Sequence, residues 1–181
     1  MGDPVYISAQ SVARDSIDLA RRVQEYNPTV MAVFLRGGKP VANFMRPTLG
    51  VCQYVEIVAK KGYQDESERD AIKGLTPVTL VSGYDDLCRV LQPEDRLLLV
   101  DELWDTGSTV RTLVDKLQDD LGERMPVVKS AVVYFKEEND RSGLAPDFSI
   151  YTIPDVWLSF PWEDDYDLSL AVDPRDVFLE Q

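Results

Sequence analysis

Asp101 and Glu102, followed at a short interval by Asp105-Thr106-Gly107-Ser108-Thr109, are the residues of this chain best placed by type and spacing to do chemistry. A small, hydroxyl-rich turn at a helix N-terminus offers free backbone N–H groups, hydroxyls and a positive dipole end, which together make a phosphate cradle. Carboxylates beside such a cradle suit a ligand with both a phosphate and neighbouring hydroxyls, such as a ribose phosphate. The flanking residues position these groups. Leu97 to Val100 are four apolar residues in a row, as in a strand buried on both faces of a parallel sheet, whose carboxyl end opens into a ligand crevice. After the turn, Val110, Leu113, Val114, Leu117 and Leu121 fall on one helical face.

Composition narrows the chemistry. The 181 residues fit a single domain over 1–181, with 44% apolar and 28% charged residues, as in an ordinary globular protein. The chain has no histidine. That excludes Ser-His-Asp and Cys-His catalysis and every imidazole acid, base or zinc ligand. Proton transfer must then fall to a carboxylate, a lysine, a tyrosine or the substrate itself. The net charge of −13 argues against a nucleic-acid partner, because an acidic surface repels phosphate backbones. No apolar run reaches membrane-span length and the first residues carry no signal-peptide pattern, so a cytoplasmic protein away from membranes is expected. Cys52 and Cys88 form no CxxC, and reduced, buried thiols are the expectation.

Strand and helix patterns alternate along the chain. Ser8 can cap a helix carrying Val12, Ile17, Ala20 and Val23, and Thr29 to Leu35 is the first buried strand. After the loop Arg36-Gly37-Gly38-Lys39, Pro40 is placed to start a helix burying Val41, Phe44, Met45 and Leu49, with Pro47 kinking or shortening it and Gly50 ending it. Val51 to Val58 alternates like a strand, and residues 59–76 read as a mobile loop or a solvated hairpin connection. Pro77 to Val81, Val127 to Phe135 and Phe148 to Ile153 are further strands, and Tyr84 to Leu91 a short helix. The fold class is α/β with a mainly parallel sheet, the core over about 7–147 and a small C-terminal hood over about 148–170. The acidic tail, 164–181, is open to two readings: a dimer contact or an extra lid element.

The order VDE-x-x-DTGST, Val100 to Thr109, resembles the phosphoribosyl pyrophosphate (PRPP) signature of the type I phosphoribosyltransferases. Trp104 is bulkier than usual before the loop aspartate. Leu35-Arg36-Gly37-Gly38 resembles the pyrophosphate loop of the purine members, where the peptide at the positions of Leu35 and Arg36 is often a non-proline cis bond. Lys136, at the end of the strand VVKSAVVYF, stands where 6-oxopurine members use a lysine as donor to the exocyclic oxygen. Pro154-Asp155-Val156-Trp157-Leu158 resembles the hood whose aromatic stacks on the purine, with backbone groups at Leu158 for the base edge. Pro161-Trp162-Glu163 resembles the PWD or PWE ending of bacterial and archaeal members.

The resemblance implies the type I phosphoribosyltransferase fold and an enzyme that transfers 5-phosphoribosyl from Mg²⁺-PRPP to N9 of hypoxanthine, guanine or xanthine. It places the 5-phosphate on Asp105, Thr106, Gly107, Ser108 and Thr109, and the ribose hydroxyls on Asp101 and Glu102. Pyrophosphate would lie on Leu35, Arg36, Gly37 and Gly38, the base on Lys136, Trp157 and Leu158, and magnesium at Glu102 and Glu163. Asp105 is then the base that takes the N7 proton, provided it lies within hydrogen-bond reach. The loop 59–76 is the expected lid, and a homodimer or homotetramer the expected assembly. Two alternatives stay open: a catalytically silent PRPP-sensing regulator of the same fold, and a phosphoribosyltransferase for another base.

Overall fold

Apolar runs with no polar face become central strands, because both sides of such a strand must be covered. The computed structural model describes residues 3–50, 53–62 and 77–178. In chain order the elements are β1 (Val5–Tyr6), α1 (Ala9–Val23), β2 (Val30–Leu35), α2 (Gly38–Leu49), β3 (Gln53–Lys61), β4 (Val78–Ser82) and α3 (Tyr84–Val90). They continue with β5 (Arg96–Trp104), α4 (Ser108–Leu121), β6 (Val127–Phe135), β7 (Phe148–Thr152), β8 (Leu158–Ser159) and α5 (Pro174–Phe178). Six strands form one sheet in the order β4-β3-β2-β5-β6-β7, parallel except for the edge pair β3 and β4. Successive residues of β2 feed opposite layers: Met31 and Val33 pack with Val41, Met45 and Leu19 on the α1 and α2 side. Val30, Ala32 and Phe34 pack with Leu87, Leu113 and Leu117 on the α3 and α4 side.

Helix ends follow local chemistry. Ser8 caps α1, its hydroxyl accepting from the Ser11 N–H at 3.1 Å. Gly37 is the N-cap of α2, and Pro40 sits in the first turn, where a missing N–H costs nothing. Pro47 does not stop the helix, which runs on to Leu49 before Gly50.

Several expectations are corrected. In α1, Val12, Ala20 and Val23 are buried as expected and Leu19 joins them, while Ile17 is only half-buried. In α2, Val41, Ala42 and Met45 are buried but Phe44 is 40% exposed, because the apolar face is narrower than the side-chain types imply. Lys60 and Lys61 belong to β3, since β4 pairs back onto them with Lys61 opposite Val78. The remainder of the expected lid, 63–76, lies outside the described residues. β7 is an edge strand of the main sheet and not part of the hood. The hood is instead a two-stranded parallel sheet of β8 with the N-terminal β1, which no periodicity in two residues could reveal. Cys88 is a half-buried free thiol, and Cys52 lies outside the described residues. Among the described residues no helix is long and apolar enough to cross a membrane.

Candidate active site

The chain leaves β2 toward β3 on one side and β5 toward β6 on the other, so neighbouring strands β2 and β5 mark the point where the sheet order reverses. Loops at the carboxyl ends of the strands diverge there and leave a crevice. Arg36-Gly37-Gly38 follows β2 directly, and the peptide between Leu35 and Arg36 is cis. Arg36 is exposed while Gly37 and Gly38 are buried against β5. A methyl group on Gly37 would lie 1.9 Å from the carboxylate carbon of Glu102, so only glycine lets the loop sit over that side chain.

β5 is longer than its apolar run suggests: Asp101 and Glu102 are strand residues, and the strand ends at Trp104. Asp105, Thr106, Ser108 and Thr109 are all buried at the start of α4. Thr106 Oγ1 and Ser108 Oγ are 2.9 Å apart, and Gly107 turns the chain at φ 73°. The Trp104 indole, edge-on to Phe135, donates to Asp140 Oδ1 at 3.0 Å. Ser142 Oγ donates to the same oxygen at 2.6 Å, and the Arg141 N–H donates to the Thr106 carbonyl at 3.0 Å. The bulky Trp104 thus ties the loop after β6 to the turn that opens α4.

A cleft of about 140 Å³ brings together Glu102, Asp105, Lys136, Trp157, Leu158 and Glu163, which come from three separate stretches of sequence. Lys136 is 2% exposed, not a solvated strand end; its ammonium lies 3.2 Å from Asp155 Oδ1 and 3.8 Å from Asp105 Oδ1. Asn139 Nδ2 donates to Asp105 Oδ1 at 2.9 Å and to Asp155 Oδ1 at 2.7 Å. Trp157 is half-buried on the cleft wall. β1 bonds to the carbonyls of Trp157 and Ser159 at 2.9 Å each. Strand alternation therefore turns the Leu158 N–H and C=O away from β1.

Three residues escaped the sequence reading. Lys61 lines both the pocket at the Asp105–Thr109 turn and the cleft. Its only signal was a lysine pair just beyond an alternating strand, inside the expected lid. Asp155 stood inside the hood pattern without a role of its own, and Asn139 carried no signal, because it reaches Asp105 only through the turn after β6.

The carboxylates are tuned by crowding. Asp101 is held well above the usual carboxylate range, first by burial and then by the charge of Glu102, with Lys61 opposing. Glu163 is also raised, chiefly by burial, although the Phe160 N–H donates to its Oε2 at 3.2 Å. Glu102 Oε2 is buried with no hydrogen-bond partner among the described residues, an acceptor that a cation would satisfy. Among the described residues no group of three or more carboxylates or thiols forms a ready metal cage. Magnesium does not need one, since it commonly takes one or two carboxylates plus substrate phosphates. Glu102 and Glu163 fit that donor set.

A stability consequence has a definite sign. A carboxyl raised in the folded state favours folding below its ordinary pKa, and that advantage is lost as pH rises through the folded value. Asp101→Asn should therefore raise the Tm of the ligand-free protein at pH 8 by about 2–4 °C, the shift that roughly 1 kcal/mol produces at this size. The gain should shrink toward pH 4. Thermal melts across this range check it, and an equal gain at both ends would remove the charge explanation.

Three parallel strands around this crevice, a hydroxyl-rich turn under one of them and a separate hood define the type I phosphoribosyltransferase fold. The chain belongs to the phosphoribosyl transferase domain family, matching it over residues 6–167. It is similar to the xanthine-guanine phosphoribosyltransferase of Idiomarina loihiensis, with 28% identity over 161 residues, covering 87% of this chain and 86% of that one. Among solved structures, a purine phosphoribosyltransferase of Pyrococcus horikoshii superposes with a TM-score of 0.63 at 23% identity, over 90% of this chain and 95% of the other. A hypothetical protein of Neisseria gonorrhoeae with bound ppGpp gives 0.69 at 21% identity, over 99% and 98%.

Proposed function

We propose that this chain transfers the 5-phosphoribosyl group of PRPP to N9 of a 6-oxopurine, giving the nucleoside monophosphate and pyrophosphate. The observation that carries the reading is one cleft lined together by the carboxylates of Glu102, Asp105 and Glu163, a buried lysine and a half-buried tryptophan. The name of the Idiomarina relative supports the same substrate class.

Each step falls to residues of this chain. The turn Asp105–Thr109 holds the 5-phosphate, Asp101 and Glu102 hold the ribose hydroxyls, and Arg36 with the adjacent backbone receives the departing pyrophosphate. As the anomeric C–O bond breaks, positive charge grows on the ribose ring, and the carboxylates of β5 stabilise it. Lys136 donates to the 6-oxo group and, being donor-only, disfavours a 6-amino group. N9 forms the new bond to the anomeric carbon while the N7 proton passes to Asp105. Magnesium held at Glu102 and Glu163 would neutralise charge developing on pyrophosphate.

The test is a panel of hypoxanthine, guanine, xanthine and adenine with PRPP, products identified by mass, with and without a magnesium chelator. Nucleotide from at least one 6-oxopurine and none from adenine is expected; adenylate as the main product would overturn the substrate class. Trp157→Ala should raise the KM for the base about 5- to 150-fold, the equivalent of the 1–3 kcal/mol typical of base stacking, while the KM for PRPP stays near that of the parent. An unchanged base KM with a lower Tm would make Trp157 a packing residue.

A second reading rests on the Neisseria neighbour with bound ppGpp: a silent nucleotide-polyphosphate binder on the same scaffold. The net charge of −13 argues against the DNA-binding surface that a regulator of this kind would carry.

A further inference from the structure

The resemblance ends near Glu163 and the family match at residue 167, yet the chain beyond them is stitched to the hood. Val172 N–H donates to the Tyr6 carbonyl at 2.8 Å, and its own carbonyl accepts from the Ser8 N–H at 3.1 Å. Val172 thereby forms a parallel bridge opposite Ile7, on the far side of β1 from β8. Tyr166 packs edge-on to Tyr6, ring centroids 5.8 Å apart, and its hydroxyl donates to the Ile7 carbonyl at 2.9 Å. Asp173 accepts both terminal nitrogens of Arg14, one at 2.9 Å, while Arg14 Nε donates to the fully buried Asp15 at 2.8 Å. Arg175 reaches Asp18 at 3.2 Å.

β1 is thus a two-residue strand held from both sides. On one side it bonds to the tail; on the other, Val5 N–H and Ile7 N–H donate to Trp157 and Ser159. A strand that short has little stability of its own, so whatever fixes it also fixes β8 and the cleft wall built on it.

Resting on the function proposed above, we infer that the segment from Tyr166 to Arg175 is a strap that orders the base-binding wall, with Tyr166 and Asp173 as positioning residues for Trp157 and Leu158. Neither residue touches the base. Without the strap the wall must be ordered when the base binds, which weakens base affinity while the phosphate turn, built on β5 and α4, keeps its shape.

The full chain is compared with Asp173→Ala and with Tyr166→Phe, the latter losing only a hydroxyl so that folding is retained. The readouts are KM for the base, KM for PRPP, and hydrogen exchange at the Val5 and Ile7 amides. Asp173→Ala should raise the base KM about three- to tenfold and Tyr166→Phe about twofold, as loss of ordinary hydrogen bonds implies. The KM for PRPP should stay within about twofold, and both amides should exchange faster. Faster exchange with an unchanged base KM, unchanged exchange, or equal rises in both KM values would each overturn the inference. A parent chain that turns over no base would sink the functional reading by itself, because exchange at Val5 and Ile7 still reports whether the strap holds the wall.

Discussion

Asp105→Asn is expected to lower kcat by roughly 10²–10⁴-fold, the range for losing a general base, with PRPP affinity changed only a few-fold. The substitution is nearly isosteric at a 6% exposed side chain whose Oδ1 already accepts from Asn139. The Thr106 and Ser108 contacts and the φ of Gly107 do not depend on the charge of Asp105, so the phosphate turn should persist. On the proposed mechanism the lost group is the acceptor for the purine N7 proton, and no histidine exists to replace it. The low-pH limb of the kcat profile should vanish with it. If PRPP affinity fell in step with kcat, Asp105 would be a ligand-positioning residue, and the proton would leave through water or through ionisation of the base itself.

Lys136→Met should cost about 10- to 150-fold in kcat/KM for a 6-oxopurine, the equivalent of a hydrogen bond from a charged donor. Discrimination against adenine should shrink by the same factor, because only the 6-oxo substrate loses a partner. The protein should also melt earlier, since Asp155 and the buried Asp105 lose their nearby ammonium. Steady-state kinetics with hypoxanthine and adenine separates the two effects. Equal losses for both bases would show that Lys136 serves only to hold Asp105 and Asp155.

What the sequence made legible is what local chemistry dictates. An apolar run with no polar face becomes a central strand, and a small hydroxylated turn before an apolar helical stripe becomes a helix start, so β5, the turn and α4 could be read directly. Gly37 could be read as part of a loop, but the reason for it, a Glu102 carboxylate that excludes any side chain, is a contact between that loop and β5. Asn139 and Lys136 both donate to Asp155 Oδ1, and nothing within either segment records that meeting. Lys136 was legible by position yet not by environment: burial among Asp105 and Asp155 is set by the hood. The tail had no periodicity, because its role rests on one bridging residue and a bidentate ion pair instead of an apolar face. Phe44 shows the converse failure, since a large apolar side chain at helical spacing stayed 40% exposed.

The most direct measurement is pyrophosphate release from PRPP, followed together with PRPP binding on one preparation, as each purine base is added. The expected result is release that requires a 6-oxopurine and equals, mole for mole, the nucleotide formed. PRPP binding accompanied by no base-dependent pyrophosphate would contradict it and leave a silent PRPP binder.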